Sequence, residues 1–178
     1  MMGRASDTSG KAYWVGLMAD GQSIAAVIRG FLGSEEFAGL CAAAGVEPGS
    51  LPLTEARDRS PDLTRFVGRL YTEVLGRQWD SDGLNHWCTQ ALDNGYTAHQ
   101  LAANFVFSDE FTQQNHDNGD YVVVLYRAFM GRQPEAEGYA YWVGQLDTGA
   151  KNRCEVFDWF ASSPEFQQIA QSFGVRIV

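Results

Sequence analysis

The 178-residue chain has no apolar run approaching the ~20 residues that a membrane-crossing helix needs. Its N-terminus lacks a basic segment followed by a hydrophobic core, so no signal peptide is read there. Positive charge is scarce: 13 Lys and Arg face 22 Asp and Glu, a formal net charge of -9. That balance argues against nucleic acid, whose phosphates demand a basic footprint, and against an anionic membrane surface. Cysteine is sparse as well. Cys41, Cys88 and Cys154 are odd in number and not closely spaced, giving neither a disulfide framework nor a zinc site, and they read as small core residues. His86, His99 and His116 form no H-x-x-x-H pair, and phosphate loops, dinucleotide fingerprints and nucleophile elbows are all missing.

What the chain does contain is one pattern written three times. Gly3-Arg4 leads through Asp7 and Gly10 to Tyr13-Trp14; Gly76-Arg77 leads through Asp80 and Gly83 to His86-Trp87; Gly131-Arg132 leads through Glu135 and Gly138 to Tyr141-Trp142. Each copy is followed by F-x-x-S-x-E-F, at Phe31 to Phe37, Phe105 to Phe111 and Phe160 to Phe166. Trp87 and Trp142, like Gly76 and Gly131, lie 55 residues apart, whereas Trp14 and Trp87 lie 73 apart. Such self-similarity identifies a stacked supersecondary unit. The expected organisation is a partial first repeat at 1–44, a Pro/Gly linker at 45–62, a second repeat at 63–117 and a third at 118–178, packed as one domain.

Within a unit the apolar spacing is helical. Leu63, Phe66, Val67, Leu70, Tyr71, Val74 and Leu75 fall on one helix face, and Tyr121, Val122, Leu125, Tyr126, Phe129 and Met130 repeat it. This is helix A. Helix B carries the motif Trp, helix C the Phe of F-x-x-S, and helix D starts at Ser34, Ser108 or Ser163 as N-cap. The fold class is therefore all-α, built from tandem helical repeats of about 55 residues with roughly four helices per full unit. The first copy has no helix A. The chain accordingly reads as a piece of a longer protein, and the face around Tyr13, Trp14 and Leu17 is expected to be covered by another copy through self-association.

Comparing copies separates framework from decoration. Arg4, Arg77 and Arg132 follow the helix-A glycine, and Arg77–Glu110 and Arg132–Glu165 ion pairs are expected, with Glu36 the matching acid of the first copy. Trp14, Trp87 and Trp142 read as framework core, their helices stacking on one another. Asp7, Asp80 and Glu135, with Asp82 and Glu137 adding a second acid, fit helix caps; a calcium loop is the competing reading, although the twelve-residue ligand pattern is missing. Trp79, Tyr96 and Trp159 occupy slots that differ between copies, which suits surface contact: Trp79 with Tyr96 could stack on a sugar ring or a peptide.

Leu70-Tyr71 with Gly76-Arg77, Asp80, Gly83 and His86-Trp87, then Leu125-Tyr126 with Gly131-Arg132, Glu135, Gly138 and Tyr141-Trp142, and the later Ser-x-Glu-Phe, closely resemble the bacterial family catalogued as domain of unknown function 4214. Glu135 stands for the usual Asp, Trp79 for Pro and His86 for Tyr. The resemblance implies an all-helical module of large secreted or surface-attached bacterial proteins, with no established catalytic activity and no catalytic residues to transfer. The expected role is a non-catalytic interaction or spacer module, extracellular or at the cell surface, that presents a helical surface to protein or glycan and needs no cofactor. The competing readings are a carbohydrate hydrolase with an inter-repeat acidic cleft and a calcium-stabilised structural domain.

Overall fold

Ser, Thr, Asn and Asp side chains punctuate the chain at intervals that set where helices begin, because each can accept an orphan N–H of the first turn. The computed structural model describes residues 5–177, and among these there is no strand. The first unit consists of α1 (Thr8–Ala19), α2 (Ile24–Leu32) and α3 (Glu35–Ala44). The second has α4 (Pro61–Glu73), α5 (Ser81–Leu92), α6 (Ala98–Val106) and α7 (Asp109–Gln113). The third repeats that order as α8 (Asn118–Met130), α9 (Ala136–Asp147), α10 (Arg153–Ala161) and α11 (Pro164–Ser172). Helices A to D of the sequence reading are thus α4 to α7 and α8 to α11, and the all-α repeat is observed. Ser34, Ser108 and Ser163 cap helix D, accepting from Phe37 N at 3.2 Å, Phe111 N at 3.1 Å and Phe166 N at 3.2 Å.

One hydrophobic core runs from Ala56 to Val175 and takes its side chains from the second and third units. Helix α4 packs on α8, and α6 packs on α10. Phe66 of α4 meets Phe166 and Phe173 with ring centroids 6.2 and 5.9 Å apart, and Phe129 of α8 meets Phe166 at 4.7 Å. Polar ties cross the same seam. Arg69 donates to the Arg127 and Ala128 carbonyls at the end of α8, at 2.7 and 3.2 Å, and Arg127 in turn pairs with Glu73 at 2.9 Å. The Arg69 guanidinium thereby supplements the Gly131 N–H on the Arg127 carbonyl and adds a donor to that of Ala128 at the helix end.

The motif tryptophans behave otherwise than expected. Each packs on the helix C phenylalanine of its own unit: Trp14 on Phe31 at 4.8 Å, Trp87 on Phe105 at 5.2 Å and Trp142 on Phe160 at 5.5 Å. The second and third units join through helices A and C and the helix D of the third, so the Trp-bearing helices do not form the stack. Cys154 is also a correction. It is exposed, whereas Cys41 and Cys88 are buried, and burial pushes the Cys88 thiol up to about 11.

The first unit contributes nothing to the shared core: α1 and α2 have no buried residue, and α3 has only Cys41. Its attachment is a polar clasp. Within the segment read as a linker, a 3-10 turn at Ala56–Asp58 is buried and grips the corner between α1 and α2. The Asp58 carboxylate accepts from Ser23 N at 2.7 Å and Ser23 Oγ at 2.5 Å. Gln22 Nε2 donates to the Arg57 carbonyl at 2.5 Å, and Arg57 Nη1 donates to the Gly21 carbonyl at 3.1 Å. Gly21 has φ of +105°, and a Cβ there would collide with Leu84, so only glycine admits this close approach.

Candidate functional site

The repeated motif resolves into a junction between helix A and helix B. In the second unit, Tyr71 at the end of α4 stands edge-on to Phe105 with centroids 4.9 Å apart, and its hydroxyl lies directly over Gly83 in the first turn of α5. A Cβ on Gly83 would fall inside the contact radius of that oxygen. Arg77 spreads over the Tyr71 ring, 4.8 Å from its centroid, and bridges two acids: Glu110 by a two-pronged contact whose Nη2–Oε2 leg is 3.0 Å, and Asp80 at 3.4 Å. Asp80 caps α5 by accepting from Gly83 N at 2.8 Å. The third unit repeats the arrangement, with Tyr126 on Phe160 at 5.0 Å, its hydroxyl over Gly138, and Arg132 5.1 Å from the Tyr126 ring.

The expected Arg77–Glu110 pair is therefore present, but Arg132–Glu165 is not. Arg132 turns to Glu135, and Glu165 is exposed in the first turn of α11, reaching Arg132 only through its field. The cause is one methylene. Asp7 and Asp80 are short enough to cap their own helices, whereas the longer Glu135 makes no side-chain cap bond and extends to the guanidinium. Asp82 and Glu137 are exposed in the first turns of α5 and α9, where their charge favours the positive helix start. Among the described residues no three His, Cys, Asp or Glu side chains converge on one point. Arg4 lies outside the described residues.

Electrostatics follow the same contacts. Arg77 holds Glu110 below its usual range, while Asp80 is held down first by the Gly83 N–H and then by Arg77. Burial raises the Tyr71 and Tyr126 phenols, and the neighbouring Asp80 and Glu135 add to it. A carboxylate whose folded pKa is depressed contributes stability that is present near neutrality and is lost as pH falls. The expected result is a thermal midpoint that falls as the pH drops below the ordinary carboxylate range of about 4, less steeply in Arg77→Met than in the wild type. Equal slopes for the two proteins would show that the trio has no share in acid sensitivity.

The first unit carries the same slot without its filling. Asp7, Gly10, Trp14, Val15, Val27, Ile28 and Phe31 align with Asp80, Gly83, Trp87, Cys88, Leu101, Ala102 and Phe105, the set that α4 covers. Leu101, Ala102, Cys88 and Phe105 are almost wholly buried, as are Val156, Phe157 and Phe160 beneath α8. Their first-unit counterparts line an open groove of about 590 Å³, with Val15 50% and Ile28 37% exposed. Asp7 caps α1, accepting from Gly10 N at 2.7 Å, and no tyrosine hydroxyl stands over Gly10.

The surface aromatics divide differently from the sequence reading. Trp79 is half-buried, its ring lying against Gly68 of α4 and near Gly21 while it also lines a shallow surface pocket with Arg69 and Thr72. Tyr96 is likewise half-buried against the core. Trp159 is exposed, as proposed for it: it is 50% accessible and packs on Trp142 at 4.7 Å, and Tyr141, 53% accessible, stands edge-on to Trp142 at 5.0 Å. Sequence reasoning missed Tyr71, Tyr126, Arg57 and Asp58 as junction residues. The first two were visible as the Leu-Tyr pair kept in both full copies; the last two have no counterpart in another copy and left no signal.

No helix among the described residues is long and apolar enough to cross a membrane. No curated protein and no solved structure matches the chain. The family described as a domain of unknown function, DUF4214, matches residues 1–41, 54–114 and 102–170, segments that follow the three copies of the motif. The Arg, acid and Gly of the motif recur in all three copies of the sequence and the interlocking Tyr in the two full ones, and the chain belongs to the DUF4214 family.

Proposed function

We propose that this chain is a non-catalytic interaction or spacer module of a longer secreted or surface-attached protein, presenting a helical surface to a protein or a glycan. The observation that carries the reading is the open Trp14–Phe31 face of the first unit, an apolar surface of a kind that marks interaction sites. The acids and arginines of the motif support it from the other side, because they are engaged in helix caps and ion pairs at the junctions. The extracellular location belongs to the same proposal and rests on the family resemblance. A glycan is favoured by one specific feature, the exposed Trp159 and Tyr141 rings that both contact Trp142, since amphipathic rings suit sugar faces.

The test is retention of the intact chain on arrays of extracellular protein fragments and glycans. Retention is expected to fall at least about tenfold, ~1.4 kcal/mol, for Val15→Asp on a protein ligand or Trp159→Ala on a glycan, with an unchanged far-UV spectrum and the ligand recovered intact. Recovery of cleaved glycan would overturn the non-catalytic reading, and equal retention of both variants would remove these surfaces from it.

A further inference from the structure

The molecule contains its own description of what fits the first-unit groove. In both complete units the same slot is filled by one helix of one pattern, with Leu70-Tyr71 and Leu75 in α4 and its following turn, and Leu125-Tyr126 and Met130 in α8. The tyrosine enters edge-on to the helix C phenylalanine and rests its hydroxyl on the bare Cα of the motif glycine. In the first unit the receiving parts are all in place: Phe31 backed by Trp14 at 4.8 Å, Gly10 at the start of α1, and Val27 and Ile28 along α2. What is absent among the described residues is the entering helix.

We propose that the groove between α1 and α2 is a docking site for an amphipathic α-helix from outside residues 5–177 that carries the Leu-Tyr pattern of α4 and α8, with its tyrosine seated on Phe31 and Gly10. This rests on the interaction-module reading and names its partner chemistry. A second copy of this chain is a poor donor, because Tyr71 and Tyr126 are 4% and 3% exposed and anchor the core, so offering either helix would require the donor to unfold. The occupant is therefore a helix not already committed to a unit. Its apolar face follows the i, i+3, i+4, i+7 anchors that lay a helix into a groove. An isolated helix of this length is marginal in water, so ordering it lowers the affinity relative to the same contacts made within one chain.

A fluorescein-labelled peptide of residues 61–77 is the probe, titrated with the full chain and followed by anisotropy. Saturable binding is expected, weakened several-fold when the peptide carries Tyr71→Phe and at least about tenfold when the chain carries Ile28→Asp or Gly10→Leu. Ile28 is exposed and α2 adds nothing to the core, so Ile28→Asp leaves the fold of 56–175 as a control by far-UV spectrum. Absence of saturable binding, or binding indifferent to Ile28→Asp, would overturn the proposal. A concentration-dependent dimer abolished by Ile28→Asp, with no peptide binding, would overturn this occupant while leaving the interaction-module reading standing; failure of every surface variant to alter any association would remove both.

Discussion

Asp58→Ala is expected to free residues 8–44 while the remainder stays folded. The wild-type carboxylate is 5% exposed and accepts both the backbone N–H and the hydroxyl of Ser23. Hydrogen bonds to a charged group contribute about 1.5–3 kcal/mol, and the truncation also leaves the Ser23 N–H without its acceptor, so a loss of roughly 2–4 kcal/mol is expected for the attachment of the first unit. The unit has little else to hold it, since no residue of α1 or α2 is buried. Hydrogen exchange should show amides of α1 to α3 exchanging far faster in the variant, with amides of α4 and α8 little changed. Ser23→Ala combined with Asp58→Ala should cost less than the two single changes added together, because both remove the same contact. Unaltered protection over 8–44 would show that the clasp is not what secures the first unit.

Gly83→Ala should be destabilising where helix propensity alone says the reverse. In an exposed helix, replacing glycine by alanine gains about 1 kcal/mol. At position 83 the added methyl meets the Tyr71 hydroxyl, itself fixed between Phe105 and Arg77, and overpacking of this kind costs about 1–3 kcal/mol. Removing the oxygen should reverse the sign of the effect: in a Tyr71→Phe background the same alanine is expected to be neutral or stabilising. Gly10→Ala provides an internal control. A methyl added at Gly10 or at Gly83 would lie alike against the capping aspartate, 3.1 Å from its Oδ1 in each case, yet of the two only Gly83 has a tyrosine above it. Denaturant midpoints of the wild type, the three single variants and the double variant decide the matter, and a similar loss at positions 10 and 83 would refute the tyrosine as the cause.

How far the fold could be read in advance depended on whether a feature was written more than once. Helix identity and the Ser34, Ser108 and Ser163 caps were legible because three copies corrected one another, so the β-branched run Tyr121 to Val124 was not mistaken for a strand. Arg77–Glu110 was legible for the same reason. Arg132–Glu165 failed because copy-to-copy alignment ignores side-chain length, and the extra methylene of Glu135 brings a nearer acid into reach. Trp79, unique to one copy, reads as decoration, and its packing beside Gly21 and Gly68 was not legible because only the junction between the first two units creates that space. Arg57 and Asp58 were illegible, since their roles depend on a corner 35 residues away and nothing in their local pattern points there.

The contrast between the two seams of this molecule has a mechanical meaning. Between the second and third units, a pull along the polypeptide must strip aromatic rings out of a continuous interior. Between the first and second, the same pull is borne by the few bonds that Arg57, Asp58, Gln22 and Ser23 make, which water can replace one at a time. The chain is thus graded in toughness, with a yielding joint at one end and a rigid block at the other, so extension begins at the α1–α2 corner long before the block gives way.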